Sequence, residues 1–155
     1  MGKVFDFVPY KKCGGLHFGM HRDVVQKICG QKVSSCMYGY PVQDRFLDSY
    51  GFMHTLCNNQ QLLEGVELFP DVSTEPLFLR YGKIEIELSK DPSALVHQLS
   101  QITDDLHPDD DGEGFTSIKL GLKIYCPDEI VEDVILHDPY CYEQEDAYIE
   151  EQNLK

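Results

Sequence analysis

Residues 57–71, CNNQQLLEGVELFPD, and residues 126–139, CPDEIVEDVILHDP, follow the same plan of strand, polar turn and second strand. With one gap, Cys57 falls on Cys126, Glu64 on Glu132, Val66 on Val134 and Leu68 on Leu136, and Gly51 stands near the place of Gly121. Similarity at a fixed spacing marks an internal repeat, and what lies upstream of each copy extends it. In the first half, HRDVVQKICG puts Val24, Val25 and Ile28 on one helical face and ends at Gly30, a residue suited to a left-handed stop. In the second half, Asp91-Pro92 supplies an N-cap and a proline at the first helical position, and Leu95, Leu99 and Ile102 recur at helical spacing.

A strand precedes each helix. Residues 83–88, KIEIEL, alternate so that Ile84, Ile86 and Leu88 share a buried face, whereas VFDFV (residues 4–8) is shorter and is separated by Gly14-Gly15 from a strand at Leu16 to Phe18. Ile118, Leu120, Leu122 and Ile124 form a further alternating run. Each half thus reads as strand, helix, strand, strand, a unit with an apolar sheet face that it cannot bury alone. The expectation is an α+β fold, mostly antiparallel sheet with two helices, built from two pseudo-repeated units joined through Asp71 to Glu75 into one continuous sheet. The chain is read as a single domain over residues 1–155, with half-repeats at about 3–70 and 76–139 and an acidic, tyrosine-rich tail at 140–155.

A chain of this length buries roughly 70% of its unfolded surface and needs no cross-link to be stable. Its 42% hydrophobic and 26% charged residues place it among folded proteins rather than acidic disordered tails. No apolar run reaches the ~20 residues of a membrane span, and MGKVFDFVPYKK lacks the apolar region and cleavage site of a secretory leader. Gly2 does not open a myristoylation motif, because position 6 is Asp. The six cysteines (Cys13, Cys29, Cys36, Cys57, Cys126, Cys141) accordingly read as reduced and mostly buried in a cytoplasmic protein.

Charge is the strongest functional signal. The formal net charge is -14, from 27 Asp+Glu against 13 Lys+Arg. Residues 104–113 hold Asp104, Asp105, Asp109, Asp110, Asp111 and Glu113 with no base, and residues 143–155 hold Glu143, Glu145, Asp146, Glu150 and Glu151 against Lys155. Such fields attract basic partners and repel phosphate backbones. The modest basic concentration at Lys11, Lys12, Arg22, Lys27 and Lys32 has no stacking motif beside it, so nucleic acid is not expected as a partner. In the tail, Tyr140, Tyr142 and Tyr148 interleave with those acids; tyrosine is a favoured interface anchor, and carboxylates around it suit a partner rich in Arg and Lys. The candidate partner-binding residues are therefore Asp109, Asp110, Asp111, Glu113, Tyr140, Tyr142, Glu143, Glu145, Asp146 and Tyr148.

Signatures of catalysis and cofactor binding are missing. His17 and His21 have the spacing of two metal ligands, but Gly19 interrupts the helix that geometry needs. HPDDDGEG (residues 107–114) fails as a calcium loop, because Ile118 falls where a bidentate Glu is required; weak cation binding by its carboxylates is a minor reading. No CxxC pair, GxSxG, phosphate loop or dinucleotide fingerprint occurs, so no catalytic residue, metal or cofactor is expected. A hydrolase using Cys or His with Asp would instead require His17, His21, His54 or a cysteine to cluster with acids in one pocket.

VPYKKCGGLHFGMHRDVVQKICG (residues 8–30) resembles the opening of a group of small bacterial proteins: Gly15, Phe18, Gly19, Met20, Asp23, Val25 and Gly30 fit, with Cys29 where Leu is usual. DSYGFMHTLCNNQQLLEGVELF and SIKLGLKIYCPDE are similar to that group's later strands. Some members resemble the immunity proteins found beside polymorphic bacterial toxins, including those of contact-dependent growth inhibition. The resemblance implies a protein without catalytic residues that binds one toxin domain tightly. Joined to the charge pattern, the expected function is neutralisation of a basic, nuclease-type toxin by occlusion of its active site. The alternative is a non-catalytic domain that binds a small ligand or another protein. Oligomeric state is not legible in the sequence.

Overall fold

The two stretches that resemble each other lie side by side. In the computed structural model, which describes residues 2–139 and 141, the first half forms β1 (Lys3–Val8), β2 (Lys12–Cys13), β3 (Leu16–His17), α1 (Arg22–Cys29), β4 (Ser34–Tyr38), β5 (Arg45–Ser49), β6 (Met53–Cys57) and β7 (Leu63–Leu68). The second half forms β8 (Leu77–Tyr81), β9 (Ile84–Glu87), α2 (Pro92–Leu99), β10 (His107–Pro108), β11 (Gly114–Ser117), β12 (Leu122–Tyr125) and β13 (Asp133–His137). An eight-stranded antiparallel sheet runs β10-β11-β12-β13-β7-β6-β5-β4, four strands of one half followed by four of the other. At its centre Val66 lies opposite Leu136 and Leu68 opposite Val134, so the four matched residues are symmetric about Glu67 and Ile135. Gly51 and Gly121, also matched, turn the hairpins before β6 and β12 at positive φ (90° and 60°).

The chain does not make one continuous sheet. The segment after β7 returns to the start of β1, and β8 pairs with β1 in parallel, Lys3 opposite Leu77 and Phe5 opposite Leu79. A second, five-stranded sheet, β3-β2-β1-β8-β9, results. The inner residues of both sheets and both helices share one core: Phe7, Leu77, Leu79 and Ile86 from the smaller sheet, Val66, Leu68, Leu122, Ile124, Val134 and Leu136 from the larger, Val25 from α1, and Leu95 and Leu99 from α2. At roughly 1.5–3 kcal/mol for each large apolar side chain fully buried, this common core dominates stability.

Three apolar patterns fold differently from their periodicity. The run from Ile118 to Ile124 is broken by a hairpin: Ser117 pairs with Leu122, the carbonyl of Ile118 accepts from the Tyr10 hydroxyl, and Ile118 is 68% exposed. Gly121 allows that turn, because a Cβ there would stand 2.8 Å from the Tyr10 ring. Ile84 lies at a sheet edge and is exposed, although Ile86 and Leu88 are buried as their alternation requires. In α1 only Val25 of the expected face is buried, while Val24 and Ile28 are exposed. Cys29, one turn beyond Val25, packs against the core instead. The helix bounds follow their caps: His21 Nδ1 accepts from the Asp23 amide at 3.1 Å, and Asp91 Oδ1 accepts from the Ser93 amide at 3.2 Å.

Arg22, at the start of α1, ties the helix to the larger sheet. Its guanidinium donates to both Asp48 oxygens at 2.7 Å and lies over the Phe46 ring at 4.5 Å, while Ser35 donates to the same carboxylate at 2.5 Å. Burial would raise the Asp48 pKa, but these hydrogen bonds outweigh it and hold the carboxyl at about 2. The Asp48 side chain is only 1% exposed, so removing Arg22 leaves a buried charge with only Lys32, at 3.6 Å, and the Ser35 hydroxyl beside it, at a cost of up to about 3–5 kcal/mol. Arg22→Ala is expected to lower the melting temperature by about 6–15 °C at neutral pH. A group held low contributes above its ordinary pKa and loses that contribution as pH falls, so the deficit should shrink as pH approaches about 2, as thermal melts across pH would show.

Candidate functional site: an acidic face around Tyr125

The β10–β11 turn is built by its own carboxylates. The Asp109 amide donates to the Gly114 carbonyl at 2.9 Å, Thr116 Oγ1 donates to Asp109 Oδ1 at 2.5 Å, and the Glu113 amide donates to Asp111 Oδ1 at 2.9 Å. Asp109 and Asp111 therefore fix the loop, while Asp110, Asp111 and Glu113 remain exposed. Gly114 is obligatory behind them, because a Cβ would lie 2.1 Å from the Ile124 carbonyl oxygen.

Across the strand pair, Gly114 faces Tyr125, and Tyr125 in turn faces Asp133. The Cys126 amide donates to the Glu113 carbonyl and the Glu132 amide to the Tyr125 carbonyl, both at 2.8 Å, which seats these glutamates on either side of the tyrosine. Tyr125 is 39% exposed. Its pKa is raised, by partial burial first and then by the negative charges of Glu113, Glu132, Asp128 and Asp133. Next to it a cleft of about 260 Å³ is lined by Asp71, Pro127, Asp128, Ile130 and Glu132. Carboxylates with an apolar Pro-Ile wall match a long cationic side chain, whose stem is apolar and whose head is charged. Lys90 of this chain meets Asp71, one of the lining residues, at 3.2 Å.

Only part of the expected acidic surface is assembled here. Asp109, Asp110, Asp111 and Glu113 share one turn, beside a tyrosine. Asp104 and Asp105 are employed differently: Lys119 Nζ meets Asp104 at 2.5 Å, and Asp105 accepts from Thr103, Ser117 and the Lys119 amide at 2.6, 2.5 and 2.8 Å. Burial opposes ionisation of Asp105, but those donors outweigh it and hold the carboxyl at about 2, as befits a group pinning the turn after β11. Tyr140, Tyr142, Glu143, Glu145, Asp146 and Tyr148 lie outside the described residues. Cys141 is buried, and its carbonyl accepts from Arg45 Nη1 at 2.8 Å.

Sequence reasoning missed Tyr125, Asp128 and Glu132. The signal was present: Tyr125 is the outward residue after inward Leu122 and Ile124, and four acids follow it within eight residues, at Asp128, Glu129, Glu132 and Asp133. The matched glutamates also part company. Glu132 is exposed beside Tyr125, whereas Glu64 is buried, 3.5 Å from Arg45 and accepting from the Tyr38 hydroxyl at 3.0 Å.

Among the described residues, Asp133, Glu67 and His54 form a cluster of interacting titratable groups. Burial raises the Asp133 pKa well above the carboxylate range, the neighbouring Glu67 carboxyl adds to it, and the charge of His54 opposes it. Burial lowers the His54 pKa, against the charge of Asp133. His54 packs on Phe69 with ring centroids 4.4 Å apart. His17 lies in β3 and His21 caps α1, so neither joins it. All six cysteines are unbridged, and burial pushes the Cys13 and Cys57 thiols to about 12 and Cys29 to about 11, far from the reactive thiolate range. Among the described residues, no group of three or more His, Cys, Asp or Glu could hold a metal ion. A separate cleft of about 580 Å³ lies near the end of α2, lined in part by Tyr81, Ile102, Leu106 and Lys119.

The chain matches no protein-family model, no curated protein and no solved structure.

A carboxyl whose folded pKa is raised holds its proton in the native state where the unfolded chain has released it. Its contribution is present at low pH and lost as pH rises above the ordinary carboxylate value. Asp133→Asn removes that loss. The variant should gain stability relative to the parent between about pH 5 and pH 8, measured as the difference in urea midpoint at the two pH values. A constant difference would contradict the burial of an ionisable Asp133.

Proposed function

We propose that this chain is a non-catalytic binding protein of the immunity type, which neutralises a basic toxin domain by covering its cationic active site. The observation that carries the reading is Tyr125, exposed among Glu113, Asp128 and Glu132 and continuous with the Asp109–Glu113 turn. An aromatic anchor ringed by carboxylates serves both stages of such binding: charge accelerates the encounter, and the ring with its adjoining cleft supplies the close contact. The acidic tail, with Tyr140, Tyr142 and Tyr148, would supply a second acidic segment to the partner. The partner is thus a basic protein rather than nucleic acid, whose phosphates this face repels. We also read the two halves as copies of one strand-helix-sheet unit; the palindromic strand order and the symmetric register of Val66, Leu68, Val134 and Leu136 support that reading.

The test is affinity capture from the source cells with tagged parent and two variants, Tyr125→Ala and Glu113→Gln/Glu132→Gln. The expected result is one stoichiometric basic protein, retained at low salt and weakened at high salt. Tyr125→Ala should cost at least about thirtyfold in affinity, the low end of a hot-spot loss. The double charge variant should slow association with a smaller effect on dissociation. Undiminished binding by both variants would overturn the assignment of this face, and capture of nothing by the parent would overturn the function.

A further inference from the structure

On the outer face of the larger sheet, three titratable side chains stand on three adjacent strands. Val134 and Leu136 belong to the core, so alternation turns Asp133 of β13 outward, and Glu67 of β7 and His54 of β6 share that face. Glu67 is paired with Ile135 on one side and His54 on the other, which makes Asp133 its diagonal neighbour. His54 packs on the Phe69 ring at 4.4 Å, and β12 sets Tyr125 opposite Asp133 and Lys123 opposite Ile135. Asp133 is only 5% exposed, and its Oδ1 accepts from no donor among the described residues, although the Glu67 carboxyl lies within hydrogen-bonding reach of the side chain. Two carboxylates cannot hydrogen-bond each other. A proton held on one of them supplies the donor and removes a buried charge.

We propose that Asp133 and Glu67 form a proton-linked switch beside the acidic face: the pair holds one proton in the free protein and releases it when a cationic partner docks at Tyr125. This regulation rests on the binding function proposed above. Asp133 is the cross-strand neighbour of Tyr125, and Cα atoms so opposed lie about 4.5–5.5 Å apart. A lysine or arginine held against the tyrosine therefore falls within the ~8 Å screening length of the carboxyl. Such a cation favours the ionised pair, and linkage is reciprocal, so loss of the proton strengthens binding by the same factor that binding promotes its loss. Affinity for a cation accordingly rises with pH while the free protein is giving up the proton. Burial first, and then the Glu67 carboxyl, raise the Asp133 pKa against the charge of His54, which keeps the proton in place where ordinary carboxyls have lost theirs. The charged neighbours on the adjoining elements are His54 on β6, Lys123 on β12 and, around Tyr125, Glu113, Asp128 and Glu132.

Two measurements on the full-length chain test the switch without the natural partner. In the free protein at about pH 6.5, where ordinary carboxyls are ionised, infrared spectroscopy should detect a protonated carboxyl that is absent from Asp133→Asn. Tetralysine with both ends capped is then titrated at low salt, at about pH 6.5 and about pH 8.5, a range in which its side chains stay charged. Binding is followed through the aromatic resonances of Tyr125. The parent should bind about three- to tenfold more tightly at the higher pH, the response of a site whose proton becomes about tenfold easier to lose when the cation docks. Asp133→Asn should bind equally at both, and His54→Gln should keep the parent's dependence, which separates the pair from titration of the histidine. Should Asp133→Asn misfold, Glu67→Gln gives Asp133 an amide donor in place of a carboxyl and should remove most of the response. No protonated carboxyl, a parent affinity that does not change with pH, a response that survives Asp133→Asn or Glu67→Gln, or one lost in His54→Gln would each overturn the proposal. Failure to capture a protein partner would instead overturn the binding function, because tetralysine supplies the cation here.

Discussion

The antiparallel pairing of Leu63–Leu68 with Asp133–His137 joins the two halves of the chain, and the larger sheet depends on it. Each strand has a strictly inward set, Val66 and Leu68 on one and Val134 and Leu136 on the other, all fully buried. A slip of β7 by one residue would carry Glu67 into the core and expose Val66 and Leu68, so the hydrophobic pattern specifies the register. That register also determines the opposite face. It brings Glu67 and Asp133 together beside His54, while the separate pairing of β12 with β13 sets Asp133 opposite Tyr125.

Charge is then partitioned along the sheet. Acid gathers at the β10–β12 side, where Glu113, Asp128 and Glu132 surround Tyr125, whereas β4 itself carries no charged residue. Acids elsewhere are mostly committed within the fold. Asp48 holds Arg22, Glu64 holds Arg45 and Tyr38, and Asp105 holds the turn at Lys119. Among the described residues, acid is thus divided between structural pairs and a concentrated surface around Tyr125, and such a surface would steer a basic partner.

Much of this was legible in the chain. Alternation in KIEIEL and the Asp91-Pro92 cap located β9 and α2, and the likeness of residues 57–71 to 126–139 pointed to the strands that pair at the centre. The failures share a cause. Ile84, Ile118, Val24 and Ile28 fit their periodic patterns but lie at an edge, in a hairpin turn or on an outward helix face, and periodicity carries no information about what covers a residue. The parallel pairing of β1 with β8 was equally invisible, because it depends on where the segment after Leu68 delivers the chain. Within the site, the acidic turn was evident from composition. Tyr125 was overlooked because its significance lies in strand pairing, which sets Gly114 and Asp133 on either side of it, rather than in composition.

The central claim, that the surface around Tyr125 receives a basic protein, is tested most directly by titrating isotope-labelled chain with the captured partner and following backbone amide resonances. The account predicts shifts or broadening concentrated at residues 109–114 and 125–133, reduced as salt is added. Changes confined to α1, β4 or the cleft beside Ile102 and Leu106, with the Tyr125 region unmoved, would contradict it.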